Sequence, residues 1–195
     1  EHPKFSSKAS AGFSRCGQLN PENSMQIAKP KRINGRVPVM SAEEAVTYIP
    51  DEATLCVLGA GGGILEATKL IEALAERYKT TQTPKNLGII SPTGLGDRAE
   101  RGISPIAQEG LVKWALCGHW GQSPRISELA EQNKISAWNY PQGVLTQMLR
   151  ASAAHQPGII SEIGLGTFVD PRNQGGKGRT TPGGGLENRR EIFSG

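Results

Sequence analysis

The run Gly59-Ala60-Gly61-Gly62-Gly63 ends an apolar stretch, LCVL, and opens onto ILEATKLIEALAERY. A corner without side chains suits one kind of chemistry. Its main-chain N–H groups can approach a ligand closely and stabilise negative charge on a phosphate, a carboxylate or a developing oxyanion. Spacing excludes two versions of this device. A dinucleotide-binding turn needs G-x-G-x-x-G or A, but the third place falls on Ile64, and no acid for a ribose stands where the next strand ends at Ile90-Ser91. A phosphate loop needs Gly-Lys-Ser/Thr, and none follows. The residue pattern alone leaves two alternatives open, a ligand corner and a bare strand-to-helix turn.

The elements that would position this corner follow from periodicity. Ser41 with Glu44 three residues on forms a capping box that opens a short helix, closed by Pro50. Asp51-Glu52 turns into a strand over 53–59, and apolar residues at helical spacings predict a helix over about 63–79. Residues 86–90 form a second strand, followed by the Ser91-Pro92-Thr93-Gly94 loop and a short, proline-interrupted helix. A third strand covers 111–118, and a helix follows with Ser123 as N-cap and Pro124 at its first position. The fourth strand is 135–140, its loop and helix 141–156, and 157–167 reads as a fifth strand with its exit loop. Strands alternating with helices predict an α/β fold, an open, mainly parallel sheet with helices on both faces.

Composition narrows the function. The net charge of +4 is mild, basic residues are scattered, and aromatics are 5% of the 195 residues, too few to stack a nucleic acid strand. An anionic small molecule suits this charge, and nucleic acid is not expected. No apolar stretch approaches the ~20 residues that span a bilayer, so no membrane partner is expected. The three cysteines lack C-x-x-C spacing; Cys56 and Cys117 lie in apolar runs, where a thiol behaves as a small buried hydrophobe. This points to a reducing, cytoplasmic compartment. The isolated His2, His119 and His155 give no metal signature. Residues 1–32 read as a disordered N-terminal extension, with Met25 expected as the true start, and 178–195 as a flexible Gly-rich tail; 33–177 is the folded domain.

One stretch is more specific than the rest. Pro141, Gln142, Gly143, Leu145, Arg150, Pro157, Gly158, Gly164, Gly166 and Thr167 stand in the order and spacing of a P-Q-G-x-L … R … P-G … G-x-G-T pattern. In this the chain resembles the family I coenzyme A transferases, in their first, alpha-subunit-like half. The 51–63 segment is similar to the opening signature of that family, with departures at Glu52 and Ala60 and with ILEAT in place of the usual Phe and Gly-x-Pro. The 90–121 segment resembles the single-chain acetate or acetoacetate CoA-transferases, in which two halves are fused.

The resemblance implies a chemistry. A glutamate attacks an acyl-CoA thioester, an acyl-glutamyl anhydride forms, and CoA thiolate converts it to a glutamyl-CoA thioester from which a second carboxylate takes the CoA. Each step passes through a tetrahedral oxyanion, which N–H donors from glycine loops stabilise. By the matching motifs, Gln142 would orient the nucleophile. Gly61, Gly62 and Gly63 would border the acyl group, with Ser91, Thr93 and Gly94 and then Gly166 and Thr167 lining the substrate site. No metal or redox cofactor is implied, only coenzyme A thioester as substrate, with acetate, propionate or acetoacetate as carboxylate. The glutamate belongs to the second half of the family's enzymes, and no counterpart of its motif stands here. The chain is therefore expected to be an incomplete piece, inactive alone, that needs the complementary C-terminal half within a homo-oligomer.

Blander roles compete residue by residue. Gln142 suits a helix start, Arg150 a solvated helix end, and His119 and Trp120 loop packing. Glu66, Glu72, Glu76, Glu128 and Glu131 read as solvated helix faces. Rival functions are a sugar-phosphate isomerase-like or small-ligand-sensing α/β domain, which would want an Asp/Glu/Lys cluster at strand ends, and a non-catalytic assembly module.

Overall fold

A computed structural model describes residues 34–59, 62–173 and 175–178. Its strands are β1 (Thr54–Cys56), β2 (Leu87–Ser91), β3 (Val112–Cys117) and β4 (Ser136–Asn139). Its helices are α1 (Ala42–Val46), α2 (Thr68–Thr81), α3 (Pro124–Glu131) and α4 (Gln142–Ala153), with a 3-10 turn at Ser104–Ile106. The strands pair in parallel in the order β1-β2-β3-β4, with Leu55 opposite Ile89, Ile89 opposite Ala115 and Ala115 opposite Ala137. The expected open, parallel α/β sheet is what forms.

Strand order decides where the helices lie. Right-handed crossovers that step in one direction put their helices on one face of the sheet. Accordingly Leu87, Ile89, Ala115 and Cys117 share a core with Val46 of α1, Ile71, Leu74 and Tyr78 of α2, and Ile126 and Leu129 of α3. The chain reverses this at the end of β4. There α4 folds back under the sheet, and Leu145 and Met148 pack with Leu116, Trp138, Ile90 and Trp114 on the opposite face. Both faces are thus covered over β3 and β4, which is why apolar residues stand next to one another in Ala115-Leu116-Cys117 and Ala137-Trp138 instead of alternating with polar ones. Trp114 meets Trp138 edge to face at 6.4 Å between ring centroids, and Gly88 makes room for the Trp114 indole on the neighbouring strand.

Several expectations are corrected. No strand forms over 157–167; turns fill 163–168 instead. The free edge of β4 is taken by another segment, since Asn139 N–H donates to Gly176 O at 2.7 Å and Gly178 N–H to Ala137 O at 2.8 Å. The helix expected from about 63 begins five residues later, at Thr68, because Gly62, Gly63 and Leu65 hold left-handed φ values of 83°, 81° and 55° that no α-helix accepts. Cys117 is buried as expected, but Cys56 is exposed, because α4 does not reach across to β1. Ser41 caps α1, its Oγ accepting from Glu44 N–H at 3.1 Å. Ser123 stands at the N-cap of α3 without capping it, since its hydroxyl donates to Leu95 O instead. The segments assigned as N-terminal extension, 1–32, and as tail beyond Gly178 lie outside the described residues. No helix among the described residues is long and apolar enough to cross a membrane.

Candidate active site

Because all four strands run the same way, the loops that follow them emerge on one rim, at the carboxyl edge of the sheet. That is where open α/β sheets bind ligands. The glycine corner follows β1, the Ser91–Gly94 loop follows β2, Gly118 to Gln122 follow β3, and Pro141-Gln142 follows β4.

Side chains from the neighbouring loops hold the corner. Thr93 Oγ1 donates to Gly59 O at 2.8 Å. Gly62 N–H donates to Gln122 Oε1 at 3.3 Å. Gly96 N–H donates to Glu66 Oε1 at 2.7 Å, which ties the end of the corner to the loop after β2. The glycines themselves divide into two kinds. A methyl on Gly59 would come within 2.7 Å of Leu95 Cδ2 and 2.8 Å of Glu66 Cγ, so that position is closed by packing. At Gly62 and Gly63 no described residue lies within 4 Å of such a methyl. Glycine is there for its left-handed backbone, and the space beside it is open. Gly61 lies outside the described residues.

The middle of the rim links this corner to Gln142. Ser91 is buried, and its hydroxyl donates to Thr93 O at 2.7 Å, which shapes the turn from within. A methyl on Gly94 would lie 2.8 Å from His119 Cδ2 and 2.9 Å from Gln122 Oε1. Gly118 N–H donates to Ser91 O at 2.9 Å. A methyl on Gly118 would overlap the Pro92 carbonyl and lie 3.5 Å from Gln142 Cα. The rim thus steps from Gly62 through Gln122 to the Ser91–Gly94 loop, and from Ser91 and Pro92 of that loop through Gly118 to the start of α4 at Gln142. Gln142 is exposed at the first position of α4.

Gly166 and Thr167 sit in a self-contained turn. Gly166 N–H donates to Asp170 Oδ2 at 2.7 Å, and Thr167 Oγ1 donates to Gly164 O at 2.7 Å. The turn packs beside the start of α4 in a cavity that Tyr140, Pro141, Gly164 and Asp170 help to line. Asp170 is buried and also accepts from Arg172 N–H at 2.9 Å and Arg172 Nη2 at 2.7 Å. The Arg172 side chain, then the Gly166 and Arg172 N–H groups, hold its carboxyl well below the usual carboxylate range. Burial pushes the Cys117 thiol up to about 12, so it stays protonated and offers no nucleophile at neutral pH.

Sequence reasoning missed two residues of this rim. Gln122 carries no local motif. Glu66 reads as a solvated helix face only if the helix starts near 63. With three left-handed residues delaying the helix, its carboxylate turns inward, one oxygen on Gly96 N–H and the other, Oε2, buried without a hydrogen-bond partner among the described residues.

The rim therefore sets an open, side-chain-free corner and an exposed glutamine on one edge of a parallel sheet. Comparison with known proteins gives that arrangement a family. Residues 39–188 match the family described as coenzyme A transferase. The chain is 85% identical over 153 residues to acetate CoA-transferase YdiF of Escherichia coli K12, covering 78% of this chain and 29% of that protein. It is 41% identical over 140 residues to caffeate CoA-transferase of Acetobacterium woodii, covering 71% of this chain and 26% of that protein. A crystal structure of acyl-CoA transferase YdiF from E. coli O157:H7, a thioester complex with CoA, matches with a TM-score of 0.76 at 85% identity, over 77% of this chain and 30% of that one. The chain thus spans less than a third of the length of these relatives. With its family matched along most of its length and its sheet superimposing on a solved relative, this chain belongs to the coenzyme A transferases.

Proposed function

We propose that this chain supplies the thioester-facing rim of a short-chain acyl-CoA:carboxylate CoA-transferase. The observation that carries the reading is the continuity of the rim from the open Gly62–Gly63 corner to Gln142, in a chain 85% identical to an acetate CoA-transferase. The attacking glutamate comes from the part of the enzyme that the relatives possess beyond the matched segment. It adds to the thioester carbonyl, the carbonyl oxygen takes the negative charge, and collapse expels CoA thiolate and leaves an acyl-glutamyl anhydride. Thiolate then attacks the glutamyl carbonyl and releases the first carboxylate. The incoming carboxylate attacks the glutamyl-CoA thioester so formed, and returned thiolate yields the new acyl-CoA.

In this scheme the corner's main-chain N–H groups face the charged oxygen. The bond from Gly62 N–H to Gln122 Oε1 is long at 3.3 Å, so an oxyanion, a stronger acceptor, displaces the amide oxygen readily. Gln142 orients the attacking carboxylate. Acetate, propionate or acetoacetate is the carboxylate, the CoA thioester is the sole cofactor-like component, and the assembly is a cytoplasmic multimer containing the complementary half. The test is to add the separately expressed remainder of YdiF to this chain and follow labelled acetate into acetyl-CoA. Label should appear only when both parts are present. A correctly assembled pair that exchanges no label contradicts the proposal.

A further inference from the structure

The glycine corner bears no side chains, so something else must hold its shape. Glu66 is placed to do this. Its methylene chain lies against Gly59, where any larger residue would meet Glu66 Cγ at 2.8 Å. Its Oε1 accepts from Gly96 N–H at 2.7 Å. Gly96 is itself closed to a side chain, with φ at 113°, the Gln122 carbonyl in the way and Arg101 O at 2.9 Å. Gly59 thus makes room for the Glu66 side chain, and Gly96 in the other loop supplies the N–H that its carboxylate accepts across the gap. The second oxygen, Oε2, is buried and accepts nothing among the described residues. An acceptor left without a donor costs stability, and such costs persist in proteins at functional positions.

We propose that Glu66 is a positioning residue of the reaction: by clasping Gly96 N–H it fixes the open Gly62–Gly63 corner relative to the loop after β2. Its effect on turnover rests on the transferase reading above; its effect on the two loops does not. The role belongs to Oε1 as an acceptor, so a glutamine fulfils it and an alanine does not. Aspartate, one methylene shorter, draws the carboxylate back from Gly96 while preserving charge and polarity.

Amide hydrogen exchange on the full chain tests the clasp directly. Glu66→Ala and Glu66→Asp should each speed exchange in peptides covering 57–67 and 92–98 by on the order of tenfold, the consequence of losing one charge-assisted hydrogen bond. Peptides from β3 and α4 should be unchanged, and Glu66→Gln should restore slow exchange. Unchanged exchange in both loops for Glu66→Ala and Glu66→Asp overturns the proposal. Turnover is then read with the remainder of YdiF added. Both opening variants should lower kcat with little change in KM for acetyl-CoA, and Glu66→Gln should recover it. A rise in KM at unchanged kcat, or no rescue by glutamine, overturns the positioning role. If the wild-type pair shows no turnover, the transferase reading fails, and loop exchange alone upholds or overturns the clasp.

Discussion

Gly88 is the point at which the sheet is most sensitive to a single carbon atom. It pairs with Trp114 across β2 and β3, and a methyl there would overlap Cζ2 and Cε2 of the indole and lie 2.7 Å from its Nε1. Gly88→Ala therefore forces either the strand or the ring to move. Overpacking of this kind costs about 1–3 kcal/mol. If the ring yields, the edge-to-face contact with Trp138 is lost as well, worth about 0.5–1.5 kcal/mol beyond area burial. Together these come to about 1.5–4.5 kcal/mol, or a melting point lowered by roughly 3–18 °C for a domain of this size. The assay is a thermal melt followed by near-ultraviolet circular dichroism, which reports the tryptophan pair as well as the unfolding. Gly143→Ala is the control: it lies in α4 with nothing within 4 Å of an added methyl, so it should leave the melt unchanged or raise it slightly. A Gly88→Ala protein that melts with the wild type and keeps its tryptophan signal would refute the packing argument.

Two further outcomes follow from the rim. Gly63→Ala meets open space but must adopt a left-handed φ near 81°. It should lower stability by about 1–2 kcal/mol and reduce label exchange in the reassembled enzyme by a larger factor than that loss explains; unaltered exchange would tell against the corner. Asp170 has a folded carboxyl held below its ordinary range, first by the Arg172 side chain and then by main-chain N–H groups. The stabilisation from a depressed carboxyl is complete above the unfolded pKa, about 3.9, and is lost as pH falls towards the folded value. Comparative melts of wild type and Asp170→Asn should therefore show a constant gap near neutrality that narrows below about pH 4; a gap that widens in acid would contradict the assignment.

The extent to which the sequence foretells this structure depends on how locally each feature is encoded. Strands β2, β3 and β4 are legible because β3 and β4 are covered on both faces and β2 is buried along nearly all its length, which leaves adjacent apolar residues such as Ile89-Ile90, Ala115-Leu116-Cys117 and Ala137-Trp138. The shared rim is legible because alternating strands and helices already imply parallel strands. The start of α2 is not, since apolar spacing continues through Ile64 and Leu65 although left-handed backbone interrupts the helix. Glu66 is lost to view for the same reason. The absent fifth strand and the exposure of Cys56 depend on what lies alongside in space: the edge of β4 is occupied by Gly176 and Gly178, and α4 stops short of β1. Ser123 matches the residue preference of an N-cap, but Leu95 O offers its hydroxyl a tertiary acceptor.

The proposed reaction requires the Gly62–Gly63 corner and Gln142 to act on the same reacting group. A double-mutant cycle tests it: Gly63→Ala, Gln142→Ala and the pair, each assembled with the remainder of YdiF and measured by label exchange. Residues that act on one transition state lose activity non-additively, with a coupling of about 0.5 kcal/mol or more, and that coupling is the expected result. Strict additivity of the two losses would place the corner and the glutamine in separate roles and contradict the shared site.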